Sequence, residues 1–158
     1  MSDTGGMAEP ELDPATLANE YAGLLQFIHM APVGLIQADR EGRIHLMNPM
    51  AMQLLAPLIQ TVGMTKVAQR DEPLQLFEIL NVASSDLHTL FKVFSGHSGT
   101  IVNNYQLQLP PRMRRKGSPE ALSVTAMLVE RSQHGLMVVV TDDTENLRMQ
   151  RLQATWRR

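Results

Sequence analysis

The chain has 158 residues, with 14 Lys and Arg against 16 Asp and Glu, a formal net charge of -2, 44% hydrophobic residues and no cysteine. That size fits one domain with length left over for arms, the near charge balance argues against a dedicated nucleic-acid binder, and the lack of cysteine excludes a disulfide framework, a thiolate zinc site, a cysteine nucleophile and cysteinyl-flavin photochemistry. No apolar run approaches the roughly 20 residues of a membrane span, and the opening MSDTGGMAEPELD is acidic and polar, unlike a signal peptide, so the expectation is a cytoplasmic chain without membrane insertion.

Residues 1–12, with Gly5, Gly6, Pro10 and scattered acids, read as a disordered tail. Asp13-Pro14 predicts a helix start, Asp13 as N-cap and Pro14 at the first helical position. Leu17, Tyr21, Leu24, Leu25 and Ile28 then form one stripe of an amphipathic helix over 13–30. Ala31-Pro32 ends it, because the residue before proline is pushed out of the helical region. A hairpin follows: Val33 to Ala38, the turn Asp39-Arg40-Glu41-Gly42 with Gly42 free to take positive φ, and Arg43 to Met47. Asn48-Pro49 opens a helix through Met50, Met52, Leu54 and Leu55, with Pro57 and Gly63 as punctuation after it. Pro73 to Leu80 gives one or two helical turns, and Ser84-Ser85-Asp86 caps a helix with Leu87, Leu90, Phe91 and Phe94 on one face.

Three strands come next. Thr100 to Leu109 alternates, placing Ile101, Asn103, Tyr105, Leu107 and Leu109 together. Residues 121–131 put Leu122, Val124, Ala126 and Leu128 on one face, and Leu136 to Val140 is an apolar central strand after the turn at 132–135. From Thr144 the period turns helical, with Met149, Leu152 and Trp156 spaced as in a coiled-coil seam. The predicted fold class is α+β: a five-stranded antiparallel sheet, two strands plus three, with short helices on one face and a helix at each end.

This order and several local strings resemble the PAS sensor domain over residues 20–150. FIHMAPVGLIQADREGRIHLMNPMAMQLL is similar to the PAS opening, and GLMVVVTDDTENL is similar to its last strand and Asp-x-Thr junction, here Asp142, Asp143 and Thr144. The family usually has an apolar residue where this chain has Asp143. The resemblance implies a sensor domain over 31–143 with a pocket between sheet and helices. It implies a signalling helix starting at 144–158, a homodimer built through the flanking helices, and an effector domain beyond this chain, of the histidine-kinase (two-component) or cyclic-nucleotide type found in bacteria.

The candidate pocket residues are Asn48, Phe77, Phe91, Asn103, Tyr105, Met127 and Val138. For the apolar members and Tyr105, a filled hydrophobic core outweighs ligand contact. Asn48 either caps the following helix or turns a polar edge to a ligand, capping being favoured. Asn103, on the Tyr105 side of its strand, needs a polar partner if it faces inward. Asp142 and Thr144 cap the exiting helix and form the signal junction. Leu17, Tyr21, Leu24 and Ile28 form the dimer helix. His29, His45, His88, His97 and His134 show no metal spacing. His97 and His134 fall in turns and are expected to be solvated, and His88 lies one position off the Leu87–Leu90–Phe91 face. That helix resembles the one that carries the ligand in haem-binding PAS domains, but the register does not match, so neither haem nor flavin is favoured. The run Arg112 to Lys116 reads as a solvated loop. No acid, base and nucleophile set points to an enzyme. Two functions remain: a sensor that binds a small ligand and shifts the arrangement of its helices, or a ligand-free dimerisation module of the same fold.

Overall fold

The computed structural model describes residues 13–65, 74–114, 116–130 and 132–156; the tail at 1–12, Pro73 and Arg115 of the basic run lie outside them. Helix α1 (Pro14–Met30) begins at the expected proline, although the Asp13 side chain caps nothing. It ends at Ala31, which is extended ahead of Pro32. Strands β1 (Gly34–Ala38) and β2 (Ile44–Met47) form the hairpin. Its turn is held by the Asp39 carboxylate, whose Oδ1 accepts from the amides of Glu41 (3.0 Å) and Arg43 (2.9 Å), with Gly42 at φ 90°. Helices α2 (Pro49–Thr65), α3 (Leu76–Asn81) and α4 (Ser85–Val93) follow, then β3 (Gly99–Gln108), β4 (Ala121–Leu128), β5 (Leu136–Asp142) and α5 (Thr144–Trp156).

The strands make one antiparallel sheet in the order β2-β1-β5-β4-β3. The last strand thus lies in the middle, joining the N-terminal hairpin to the β3–β4 pair. Alternation decides which side is covered. Ile36 and Ala38 of β1, Leu136, Val138 and Val140 of β5, Val124 and Ala126 of β4 and Leu107 of β3 are buried on one face, under Ala51, Leu54, Leu55 and Leu58 of α2, Ile79 and Leu80 of α3 and Leu87 of α4. The fold is the expected α+β layer, a five-stranded antiparallel sheet with its helices.

Several local expectations need correction. Helix α2 does not stop near Pro57 but runs through it to Thr65. The buried positions Ala51, Leu54, Leu55 and Leu58 recur at helical spacing across the proline, so packing outweighs the lost amide. Gln53, whose carbonyl loses its partner, lies on the exposed side, and the Thr61 hydroxyl donates to the Pro57 carbonyl at 2.9 Å. Residues 74–76 lie along the free edge of the hairpin: Ile44 donates to the Leu74 carbonyl (3.0 Å), Leu76 to the Gly42 carbonyl (2.7 Å), and Arg43 bridges Gln75. This covers an edge that would otherwise be open to pairing. His134 is not a solvated turn residue. It is half-buried and stacks on His45 with ring centroids 3.8 Å apart, packing the β4–β5 turn against β2.

Helix α2 and the sheet come close together at Gly34. A Cβ there would lie 2.9 Å from the Ala51 Cα and 3.1 Å from the Val140 carbonyl oxygen, both backbone atoms with little freedom to yield. Gly34→Ala is therefore expected to push α2 off β1 and lower stability by about 1–3 kcal/mol, read as a fall in the urea midpoint with the slope unchanged.

Candidate functional site

The two ends of the central strand pair differ in chemistry. At one end, Gly34 pairs with Val140, so the chain enters β1 and leaves β5 side by side. Helices α1 and α5 are both rooted there. At the other end, Ala38 pairs with Leu136 and Leu128 with Leu136, beside the Asp39–Gly42 turn, and here a cleft opens.

Asn48 organises the first root. It is 2% exposed, the only buried polar residue among those described. Its Oδ1 accepts from Leu35 N and Ala51 N (both 2.9 Å), and its Nδ2 donates to the carbonyls of Ile28 (2.9 Å) and Val33 (2.8 Å). Capping therefore wins over a ligand-facing edge: the amide oxygen reaches the third residue of α2, as an N-cap does, and no hydrogen-bonding capacity is left to aim at a ligand.

The second root begins at Asp142. Its Oδ1 accepts from the Thr144 amide (2.9 Å) and from the Thr144 hydroxyl, whose oxygen in turn accepts from Glu120 N at 3.0 Å. Asp143 donates its amide to the Ala121 carbonyl (2.9 Å) and accepts from Gln106 Nε2 at 3.0 Å. A polar pair, Gln106 and Asp143, thus stands where the family that the sequence resembles usually has an apolar residue. The Glu120 carboxylate reaches Arg148 (3.4 Å) and Arg151 (3.5 Å), three residues apart on one side of α5. The first turn of α5 is bound to β3, β4 and β5 together, and Leu147 is buried. Beyond it, Met149, Leu152 and Trp156 are exposed.

Helix α1 is exposed along its length. Leu17, Tyr21, Leu24, Leu25, Phe27 and Met30 all stand in solvent, only Ile28 is half-covered, and no residue of the helix is buried. The expected stripe is therefore present and unburied within one copy.

The cleft has a volume of about 120 Å³ and is lined by Arg40, Phe77, Phe91, Phe94, Gly96, Ile101, Leu128 and Leu136. Phe77 packs on Phe91 with centroids 5.2 Å apart and on His88 at 5.1 Å, so His88 belongs to the half-buried side of α4 while Leu90 is exposed. Of the seven candidate pocket residues, only Phe77 and Phe91 reach this cleft. Val138 is buried in the core, and Tyr105 is half-buried with its hydroxyl 3.2 Å from Ser84 Oγ.

Asn103 and Met127 do not face the helices as the sequence predicts. Val102 pairs with Ala126 but Tyr105 with Val124, so β3 carries one residue more than β4 between these pairs. Asn104 takes φ 52° in this bulge, its amide bonded to Thr125 Oγ1 at 3.0 Å. Val102 consequently turns inward and Asn103 is exposed. Met127, between the inward Ala126 and Leu128, is 46% exposed on the outer face. Arg40, Phe94 and the strand ends went unread as a site, although three of the four phenylalanines of the chain fall within 77–94 and line the cleft. Among the described residues, no three imidazole or carboxylate groups are placed to hold a metal ion, and no helix is long and apolar enough to cross a membrane.

Removing the Asn48 amide strands the amides of Leu35 and Ala51 and takes one partner from the carbonyls of Ile28 and Val33, of which Ile28 keeps the Ala31 amide at 3.3 Å. Asn48→Ala is expected to lower stability by about 2–4 kcal/mol, measured by urea unfolding. Asp142→Ala removes an exposed cap and should cost only about 1 kcal/mol, while speeding hydrogen exchange at the amides of Thr144 and Glu145 and leaving the Val138 amide slow. No family model matches this chain, and no curated protein matches it.

Proposed function

We propose that this chain is a regulatory sensor module of the PAS type. In this reading it dimerises through α1, takes up a small ligand in the cleft, and passes the change through α5 to an effector domain outside this chain. The observation that carries the reading is the shared root of two helices that each expose apolar side chains. Gly34 and Val140 are paired, so any shear or twist between β1 and β5 must alter the angle between α1 and α5. The cleft lies at the far end of the same ladder, about 14 Å away at roughly 3.4 Å per residue. Occupancy at one end can then bias two arrangements of the helices at the other, provided the ligand binds the two unequally.

The dimer follows from burial. Helix α1 is 17 residues long, about 25 Å, and a stripe of this size left in water favours association. The same stripe on a second copy is the complementary surface in a two-fold arrangement. A cytoplasmic, bacterial signalling protein is the setting that the resemblance supplies.

The ligand-free dimerisation module is the second reading, and the size of the cleft favours it. The fully buried core is aliphatic and closed, and about 120 Å³ lies below the ~300–1,000 Å³ of common ligand sites.

Sedimentation tests the dimer common to both. Leu24 is 61% exposed, so Leu24→Glu leaves the monomer core untouched. The wild-type chain is expected to sediment as a dimer and Leu24→Glu as a folded monomer; a dimer that survives the substitution removes α1 from the interface.

A further inference from the structure

The cleft differs from the rest of the interior in composition. The largest fully buried side chains are Leu, Ile and Val, whereas Phe77, Phe91 and Phe94 gather around this opening and are each only half-buried. A cationic side chain, Arg40, stands among them on the hairpin turn. The neighbouring carboxylate does not neutralise it: Asp39 is engaged by the amides of Glu41 and Arg43 and by the Arg43 guanidinium at 3.8 Å. Among the described residues, the polar contact of the Arg40 side chain is one long hydrogen bond, 3.5 Å, from Nη2 to the His97 carbonyl. Most of its five donors are therefore free for a ligand.

From this combination we propose that the cleft binds a small aromatic carboxylate. The ring enters between the phenylalanines and the carboxylate pairs with Arg40 at the rim. Three features select this class. The volume, about 120 Å³, is somewhat less than the ~150 Å³ of a closed cavity that holds benzene, so the cleft takes no more than one six-membered ring, with its substituent at the open rim. Offset and edge-to-face contacts with Phe77 and Phe91 suit an aromatic body better than an aliphatic one. A planar guanidinium fork matches a carboxylate with two parallel hydrogen bonds. Inorganic phosphate or acetate would meet the same cation but leave the apolar space unfilled. The inference rests on the sensor reading and gives its ligand a chemical class.

Titration of the intact chain with benzoate, benzyl alcohol and inorganic phosphate, by calorimetry and by NMR of the phenylalanine rings, tests it. Benzoate is expected to bind, to shift the ring signals of Phe77, Phe91 and Phe94, and to bind at least tenfold more tightly than benzyl alcohol. Phosphate should leave those signals unchanged. In Arg40→Gln, an exposed change on a turn that Asp39 and Gly42 still hold, benzoate should weaken about tenfold or more while benzyl alcohol is unaffected. Binding of benzyl alcohol as tight as that of benzoate, or benzoate binding unchanged in Arg40→Gln, overturns the carboxylate assignment and leaves the cleft as a ligand site. No response of the rings to either aromatic compound overturns both this inference and the ligand-binding reading, in favour of the dimerisation module.

Discussion

Four hydrogen bonds made by one buried amide tie four separate segments at one junction. Asn48 ties the last turn of α1, the Val33 link, the start of β1 and the first turn of α2. Each bond by itself contributes only about 1 kcal/mol, but the backbone groups they satisfy are covered and could not stay unpaired. Neither aspartate nor leucine replaces it. A carboxylate lacks the two N–H donors, and an apolar side chain lacks everything. With Asn48 in place, Gly34 can come within contact distance of Ala51, α2 closes over β1, and the departure of α1 from the body is fixed.

The opposite root is built from different chemistry with the same outcome. Asp142, Thr144 and Glu120 form a chain of hydrogen bonds that anchors α5, and Arg148 and Arg151 add charge attraction to Glu120 from the exposed side of the helix. These ion pairs are partly in solvent, where such pairs contribute little to stability; their consequence is the direction of α5. The roots of two helices that carry unburied apolar residues thus lie at the same end of two paired strands. In the proposed sensor, small relative movements of β1 and β5 would be magnified with distance along the helices.

Much of the frame can be read from local signals. Gly42 takes the positive φ that its turn requires, the Ala31-Pro32 break ends α1 as steric clash demands, and the Ser84 hydroxyl caps α4 by accepting from Leu87 at 3.4 Å. The features that escape a local reading depend on partners far along the chain. Pro57 punctuates a sequence but not a helix whose apolar face is pinned to a sheet. The seating of residues 74–76 on the edge of β2 has no local signature. The bulge at Asn104 is a one-residue change of phase that alternation cannot anticipate, and it alone moves Asn103 out and Val102 in. The cleft was half legible: Phe77 and Phe91 were named, but Arg40 looks like an ordinary turn residue until the sheet brings its strand end beside Leu136.

In the proposed dimer, the cleft and the paired helix roots are mechanically joined through β1 and β5. The chain has no cysteine, so Gln150→Cys on the exposed side of α5 supplies a single spin-label site. Dipolar spectroscopy then measures the distance between the two copies, with the cleft native and with Phe91→Trp filling it. We expect a defined inter-subunit distance that shifts when the cleft is filled. Identical distributions in the two proteins, or the absence of any dipolar coupling, would contradict the account.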